Sequence, residues 1–319
     1  MAKPFASSHD LTEKQETLEI LTEGVYALTA EGDPNVGAIE GEDFIIAIEA
    51  RATPQAARDW LTQLRQHTDK PVKYLILTHY HAVRVLGASA FEAENIISSA
   101  ATKTLIEERG KQDWESEFGR MPRLFKKPED IPGLTHPTLT FSDAMQIELG
   151  GNRGHVDLQF CGRGHTAGDI VVWHPGSRTL FAGDLVEAEA ALYTGDAFHM
   201  DWSSGTLDRV KQFNAENLIG GRGAVAKGQT AVNAAIEQTR EFLTVMQTHV
   251  KAVHDANGHL KEAFERTHAA LSPKFGQWPI FEHCLPFNVQ RLWDEYDGID
   301  WPKIWTMERD REVWALLQG

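Results

Sequence analysis

The amino-acid sequence predicts an α/β protein: a four-layer αββα sandwich followed by a C-terminal helical extension. Three observations lead there. Strand-like segments fall into two similar sets, each opening with strands and closing with a helix and a strand. That order stacks two mixed sheets face to face with helices outside. From about Thr230 onward, apolar residues instead recur at helical spacing.

Taken in order, residues 17–30 alternate and are rich in β-branched side chains, and GDPN at 32–35 supplies turn chemistry. Two further strands follow, VGAIEG and DFIIAIEA, reversing near Gly41 and Glu42. Thr53 before Pro54 reads as an N-cap with proline at the first helical position. The helix it opens sets Ala57, Trp60, Leu61 and Leu64 on one face. VKYLILT at 72–78 is almost continuously apolar, as expected of a strand buried on both faces. A short helix is expected over 84–92, a strand over 96–99 and a helix over 100–118. The polar passage 121–137, with Pro122, Pro128, Pro132 and Pro137, reads as a long surface connection.

Strands resume with TLTF, MQIELGG, VDLQFCG, DIVVWHP and RTLFAGDLV, turning at Ser142–Asp143, Gly151–Gly154 and Pro175–Gly176. Residues 207–217 read as a helix leading into the strand and loop LIGGRGAVAKG. The expected division is residues 1–229 as the sandwich and 230–319 as the extension. In the latter, Val232, Ala235, Ile236, Phe242, Leu243, Met246, Val250 and Val253 form an apolar stripe, with continuation past Asn257–Gly258 left open. Trp278, Trp293, Trp301, Trp305 and Trp314 crowd its second half. Large rings there belong to core or oligomer interface more often than to a ligand box, which keeps a homodimer open.

Composition narrows the partners. The chain has 319 residues, 31 Lys+Arg against 46 Asp+Glu, and a net charge of −15. That balance disfavours nucleic acid and anionic membranes, which need a positive field. Two distant cysteines, Cys161 and Cys284, make neither a disulfide framework nor a Cys-rich zinc motif. The N-terminus shows no signal-peptide core and no run approaches a membrane span, so a cytoplasmic protein acting on a small molecule is expected.

Chemistry gathers in three glycine- or strand-flanked segments: Thr78-His79-Tyr80-His81, Gly162-Arg163-Gly164-His165-Thr166-Ala167-Gly168-Asp169 and Phe181-Ala182-Gly183-Asp184. Strand ends place side chains at a sheet rim, where polar groups converge. One histidine there is ordinarily just a polar residue near solvent. Two at i and i+2, joined by a third and by an aspartate, point to a metal, because imidazole is its commonest ligand and three imidazoles with an open position make a catalytic zinc site. His155, His174 and His199 read instead as loop or sheet-surface histidines. Cys161 reads as a small core hydrophobe, and His283-Cys284 as a pair only folding could bring near the metal. The Gly162-Arg163-Gly164 run lacks the rest of any phosphate-loop pattern.

The order NVG, THYH, GHTAGD, FAGD resembles the metallo-β-lactamase-fold hydrolases over about residues 20–225. The resemblance implies an αββα fold with metal at the edge between the sheets. Matched position by position, His79, His81 and His165 correspond to the three histidines of the family's first metal site, and Asp184 to its bridging aspartate. The second site departs from the pattern: Val83 stands at the Asp position, Arg84 at the neighbouring His, and Arg222 at the final His.

Arginine keeps its proton and cannot replace neutral histidine as a ligand. The expectation is therefore one divalent metal, Zn2+ first and Fe2+ as the alternative, in a mononuclear hydrolase. It would deliver metal-bound hydroxide to an ester, amide or lactam, or phosphoester. Asp184, Arg84 and Arg222 are the candidate catalytic residues: Asp184 orients water or accepts its proton, and the two guanidiniums occupy the second-metal space and pair with Asp184. They would clamp a substrate carboxylate or phosphate, stabilise a developing oxyanion, or form a plain salt bridge. A rival reading takes His79, His165 and Asp184 as an iron facial triad for dioxygen chemistry on a thiol or persulfide. A third is a non-catalytic binding or scaffold protein with a decayed site.

Overall fold

A computed structural model describes residues 5–318. Its first sheet runs in chain order through β1 (Glu16–Thr22), β2 (Val25–Ala30), β3 (Val36–Glu40), β4 (Ile45–Ile48), β5 (Val72–Ile76), β6 (Asn95–Ser99) and β7 (Leu139–Phe141). The first four strands pair antiparallel and the rest parallel. The second sheet contains β8 (Ala144–Glu148), β9 (His155–Phe160), β10 (Ile170–His174), β11 (Thr179–Gly183), β12 (Asn217–Gly220) and β13 (Ala226–Lys227), with only β11–β12 parallel.

Period-2 alternation sorts the side chains into layers. Between the sheets lie Val25, Ala27, Ile46 and Ile48 from the first, meeting Ile170, Val172, Phe181 and Ile219 from the second. The approach is close: a Cβ on Gly37 would sit 2.1 Å from the Phe181 ring. The intervening residues Tyr26, Leu28, Ile45 and Ala47 point the other way, onto Trp60 and Leu64 of α1 (Pro54–Leu64). Thr53 caps this helix as expected, its hydroxyl accepting from the Ala56 N–H at 3.1 Å. On the far face of the second sheet, Val171, Leu180, Ala182 and Leu218 pack with Phe242, Leu243 and Met246 of α6 (Gln229–Asp255) and with Leu285, Phe287 and Leu292 of α8 (Phe281–Tyr296). The C-terminal helices thus join Trp202, Leu207 and Val210 in the fourth layer and share one core with the sheet they cover.

Several local expectations are refined. Residues 17–30 form a hairpin, reversing at Glu23–Gly24, where Gly24 takes φ +75°. The segment 84–92 divides into α2 (Ala82–Val85) and a 3-10 turn at Ala88–Phe91. The helix expected to end at 118 is α3 (Ala100–Arg120). The long C-terminal helix stops at Asp255, with Asn257 at φ +55°, before α7 (Leu260–Phe275). The helix expected over 207–217 ends at Gln212, because Asn217 already pairs in β12. The 121–137 connection is pinned by buried Met121, Phe125 and Ile131. Short helices α4 (His199–Asp201) and α5 (Leu207–Gln212) precede β12, and α9 (Met307–Gln318) closes the described chain.

Candidate metal centre

Four chain segments meet at one rim of the sandwich. β5 delivers His79 and His81 just before α2, the β9–β10 connection carries His165, and Asp184 follows β11 directly. All four residues are buried, none more than 3% exposed. One nitrogen or oxygen from each lies within 4.8 Å of those of the other three. The imidazole planes are close to mutually perpendicular, with interplanar angles of 82° to 88° and centroids 4.7–5.0 Å apart.

Outer hydrogen bonds set which nitrogen faces the cluster. His165 Nδ1 donates to the Tyr193 carbonyl at 2.8 Å, leaving Nε2 with its lone pair. His81 Nε2 faces Asp196 Oδ2 at 3.3 Å, turning Nδ1 inward. His79 Nδ1 meets the Thr78 hydroxyl at 3.0 Å, and its buried Nε2 has no hydrogen-bond partner and lies 3.7 Å from Asp184 Oδ2. His81 Nδ1 and His165 Nε2 are 2.9 Å apart, a separation that requires a shared proton or a shared cation. Carboxylate or carbonyl partners behind ligating imidazoles are the usual support of a metal site. The donor set therefore fits a divalent ion.

Without a metal the three imidazoles differ in charge: His79 and His165 are held neutral, whereas His81 is held protonated, a proton that a bound cation would displace. Burial drives the His79 pKa well below its ordinary value and His165 to about 3, despite nearby Asp184. Burial also opposes charge on His81, but Asp113 and Asp196 overcome it and hold His81 at about 9. Burial would raise Asp196, yet His81 and Arg109 bring it to about 2. Arg109 Nη1 reaches Asp196 Oδ1 at 3.2 Å.

Both arginines at the altered positions meet Asp184. Arg84 donates to Asp184 Oδ1, to the Gly221 carbonyl at 2.7 Å and to the Asn35 carbonyl at 3.1 Å. Arg222 Nη1 lies 3.1 Å from Asp184 Oδ2 and 3.3 Å from Glu187 Oε1. Burial tends to raise Asp184, but Arg84, His79 and Arg222 hold it far below the usual carboxylate range. Glu187 is pushed up to about 8 by burial and by Asp184. Since both terminal nitrogens of Arg84 are engaged by protein acceptors and the side chain is fully buried, its geometry is that of an ion pair rather than of a clamp open to substrate.

The remaining histidines and cysteines take other places. His199 is fully buried, not on a loop surface, and joins Glu295 and Thr194 at 2.7 and 2.8 Å. His155 stands beside Asp157, and His174 bonds Ser177. Cys161 and Cys284 are free, buried thiols. His283 Nε2 contacts Arg120 Nη1 at 3.3 Å. Arg163 pairs with Asp201 and Asp300 at the surface. The sequence reading missed Asp196, Asp113, Glu187, Asn35 and the Tyr193 carbonyl. Asp196 had a local signal, a glycine-flanked aspartate soon after Asp184; a backbone carbonyl has none.

Known proteins share this arrangement of segments. The family model of the metallo-beta-lactamase superfamily matches residues 30–222, more than half of the chain. The chain belongs to that superfamily. A linear primary-alkylsulfatase from Pseudomonas sp. (strain ATCC 19151) is 22% identical over 329 residues, covering 88% of this chain and 60% of its own. A metallo-beta-lactamase type 2 from Bacillus sp. (strain 170) is 25% identical over 178 residues, covering 55% of this chain and 60% of its own. The chain thus spans 60% of the length of each of these relatives. A solved metallo-beta-lactamase from Pontibacter korlensis superposes with a TM-score of 0.57 at 20% identity, over 72% of this chain and 99% of that one, which shows the shared fold. Among the described residues, no helix is long and apolar enough to cross a membrane.

Proposed function

We propose that this chain is a metal-dependent hydrolase with a single-ion site held by His79, His81 and His165, beside Asp184. The observation that carries the reading is the convergence of His79 Nε2, His81 Nδ1 and His165 Nε2, with two of these nitrogens only 2.9 Å apart. A divalent ion bound there, zinc in this reading, supplies Lewis acidity and brings a coordinated water to near-neutral pKa. Asp184 stays ionised beside Arg84 and Arg222, so it accepts hydrogen bonds and orients a nucleophile or substrate donor. Arg84 and Arg222 stand in for the positive charge of a second ion and hold Asp184 in place.

Having His81 Nδ1 within the cluster favours three imidazoles over the two-histidine, one-carboxylate triad of iron oxygen chemistry. Esters, amides or lactams and phosphoesters are the substrate classes such a site attacks, and the alkylsulfatase relative adds sulfate esters. The reading keeps the enzyme in the cytoplasm, and light scattering decides whether the Trp-rich tail pairs two copies.

Elemental analysis of protein purified without chelator tests the reading, followed by hydrolysis assays across those four ester and amide classes. About one zinc per chain, lost in His165→Ala, is expected. Iron would move the site to oxygen chemistry, and two ions would remove the role assigned to the arginines. No metal after reconstitution would leave a non-catalytic binding protein.

A further inference from the structure

Between the end of β11 and the start of α4, residues 184–198 form no regular element apart from a bridge of Ala188 to Gly223. Yet all of them except Glu189 are buried. A buried irregular segment must find partners for its backbone groups, and here much of the supply comes from the C-terminal region. Asn288 on α8 accepts from the Thr194 N–H at 2.6 Å and donates to the Leu192 carbonyl at 2.8 Å. Arg291 Nε donates to the Ala197 carbonyl at 2.8 Å. Glu295 accepts from the His199 N–H at 3.1 Å, and Trp305 Nε1 donates to the Gly195 carbonyl at 2.9 Å.

Asn288, Arg291 and Glu295 are spaced i, i+3, i+7, which is one face of a helix. Asn288 and Arg291 are both fully buried. The segment this polar stripe grips is the one that reaches behind the histidines. The Tyr193 carbonyl accepts a hydrogen bond from His165 Nδ1–H at 2.8 Å, and Asp196 faces His81 Nε2 at 3.3 Å.

We propose that Asn288 is a positioning residue for the metal centre. Its amide brackets Tyr193, binding the residue before and the residue after, and so aims the Tyr193 carbonyl at His165 Nδ1. That contact fixes the His165 tautomer whose Nε2 lone pair faces the cluster. This inference rests on the metal-site reading above and extends it: the C-terminal region is part of the ligand-orienting apparatus, although among its described residues none hydrogen-bonds to the four clustered side chains.

The test is zinc affinity of the full chain, measured by competition with a chromophoric chelator on metal-free wild type, Asn288→Asp and Asn288→Ala. Asn288→Asp is nearly isosteric: it keeps the acceptor for the Thr194 N–H and replaces the donor to Leu192 with an oxygen. Supporting groups behind a ligand alter metal affinity by about 10–100-fold, so a loss of about tenfold or more is expected in both variants. Nitrogen-15 shifts of the histidine rings give a second readout. His165 is expected as the Nδ1–H tautomer in wild type and as a tautomer mixture in Asn288→Asp.

Unchanged affinity and an unchanged His165 tautomer in a folded variant would overturn the proposal. So would failure of both variants to fold, since Asn288 would then hold the fold rather than the ligand. Wild type that takes up no zinc would instead remove the metal reading itself, and this inference with it.

Discussion

Replacing Arg84 with methionine isolates the part of the site that departs most from the superfamily's pattern. The side chain is fully buried and serves three acceptors: Asp184 Oδ1, the Gly221 carbonyl and the Asn35 carbonyl. Methionine is of comparable length and apolar, so the substitution removes the charge and all three donors with little change of volume. Breaking one side of a buried ion pair costs about 3–5 kcal/mol. Arg222 remains 3.1 Å from Asp184 Oδ2, so the carboxylate keeps one cation and the lower end applies. Each orphaned carbonyl adds to the loss in proportion to how completely water is excluded. The expected destabilisation of the metal-free protein is therefore at least about 3 kcal/mol, read by urea unfolding at neutral pH. Arg84→Lys should fall between wild type and Arg84→Met, because an ammonium keeps the charge but not the planar fork. A loss below about 1 kcal/mol in Arg84→Met would refute the reasoning, since it would mean that desolvation already cancels the pair.

Three further outcomes follow from other contacts. Asp196→Asn removes the carboxylate facing His81 Nε2 at 3.3 Å and should weaken zinc binding by about 10–100-fold, measured by chelator competition; unchanged affinity would show that Asp196 does not orient His81. Gly221→Ala would place a Cβ 1.9 Å from Asp184 Oδ1 and 2.7 Å from Arg84 Nη2. It should displace the ion pair and reduce both thermal stability and metal uptake, so wild-type behaviour in calorimetry and metal analysis would contradict the packing. His283 is buried, and burial first, then Arg120 and Arg222, drives its pKa well below the ordinary value. The unfolded chain takes up a proton below about pH 6.5 that folded His283 refuses, so stability is present above that pH and falls as pH drops, by about 1.4 kcal/mol per unit. His283→Gln should therefore lose about 1 kcal/mol less than wild type between about pH 7 and about pH 5.5 in urea unfolding. An equal loss in both would assign the acid sensitivity elsewhere.

Much of the fold was legible because its signals are local. Thr53–Pro54 announces α1, the apolar run at 72–78 announces β5, and the stripe from Val232 to Val253 announces α6. The misreadings arose where local and long-range terms compete. Residues 17–30 look like one strand because alternation continues across Glu23–Gly24, but β1 and β2 pair antiparallel with each other. His199 reads as a loop histidine because the three-residue helix it opens is too short to carry any periodicity. Its burial comes from Glu295 and Gln247, which are far away in sequence.

The sequence by itself determined the two-sheet layering, the family and the four side chains that converge, because periodicity and short motifs at strand ends depend on residues a few positions apart. It also determined that arginine replaces two residues of the pattern, since identity at a position needs no coordinates. Only the tertiary structure decided what stands behind those side chains. The Tyr193 carbonyl on His165, Asp196 on His81 and Asn288 behind Tyr193 come from segments 28, 115 and 94 or more positions away from their partners. Hydrogen-bond direction and burial are properties of groups brought together by packing. No local pattern encodes that a helix near the C-terminus will satisfy the backbone of a buried loop.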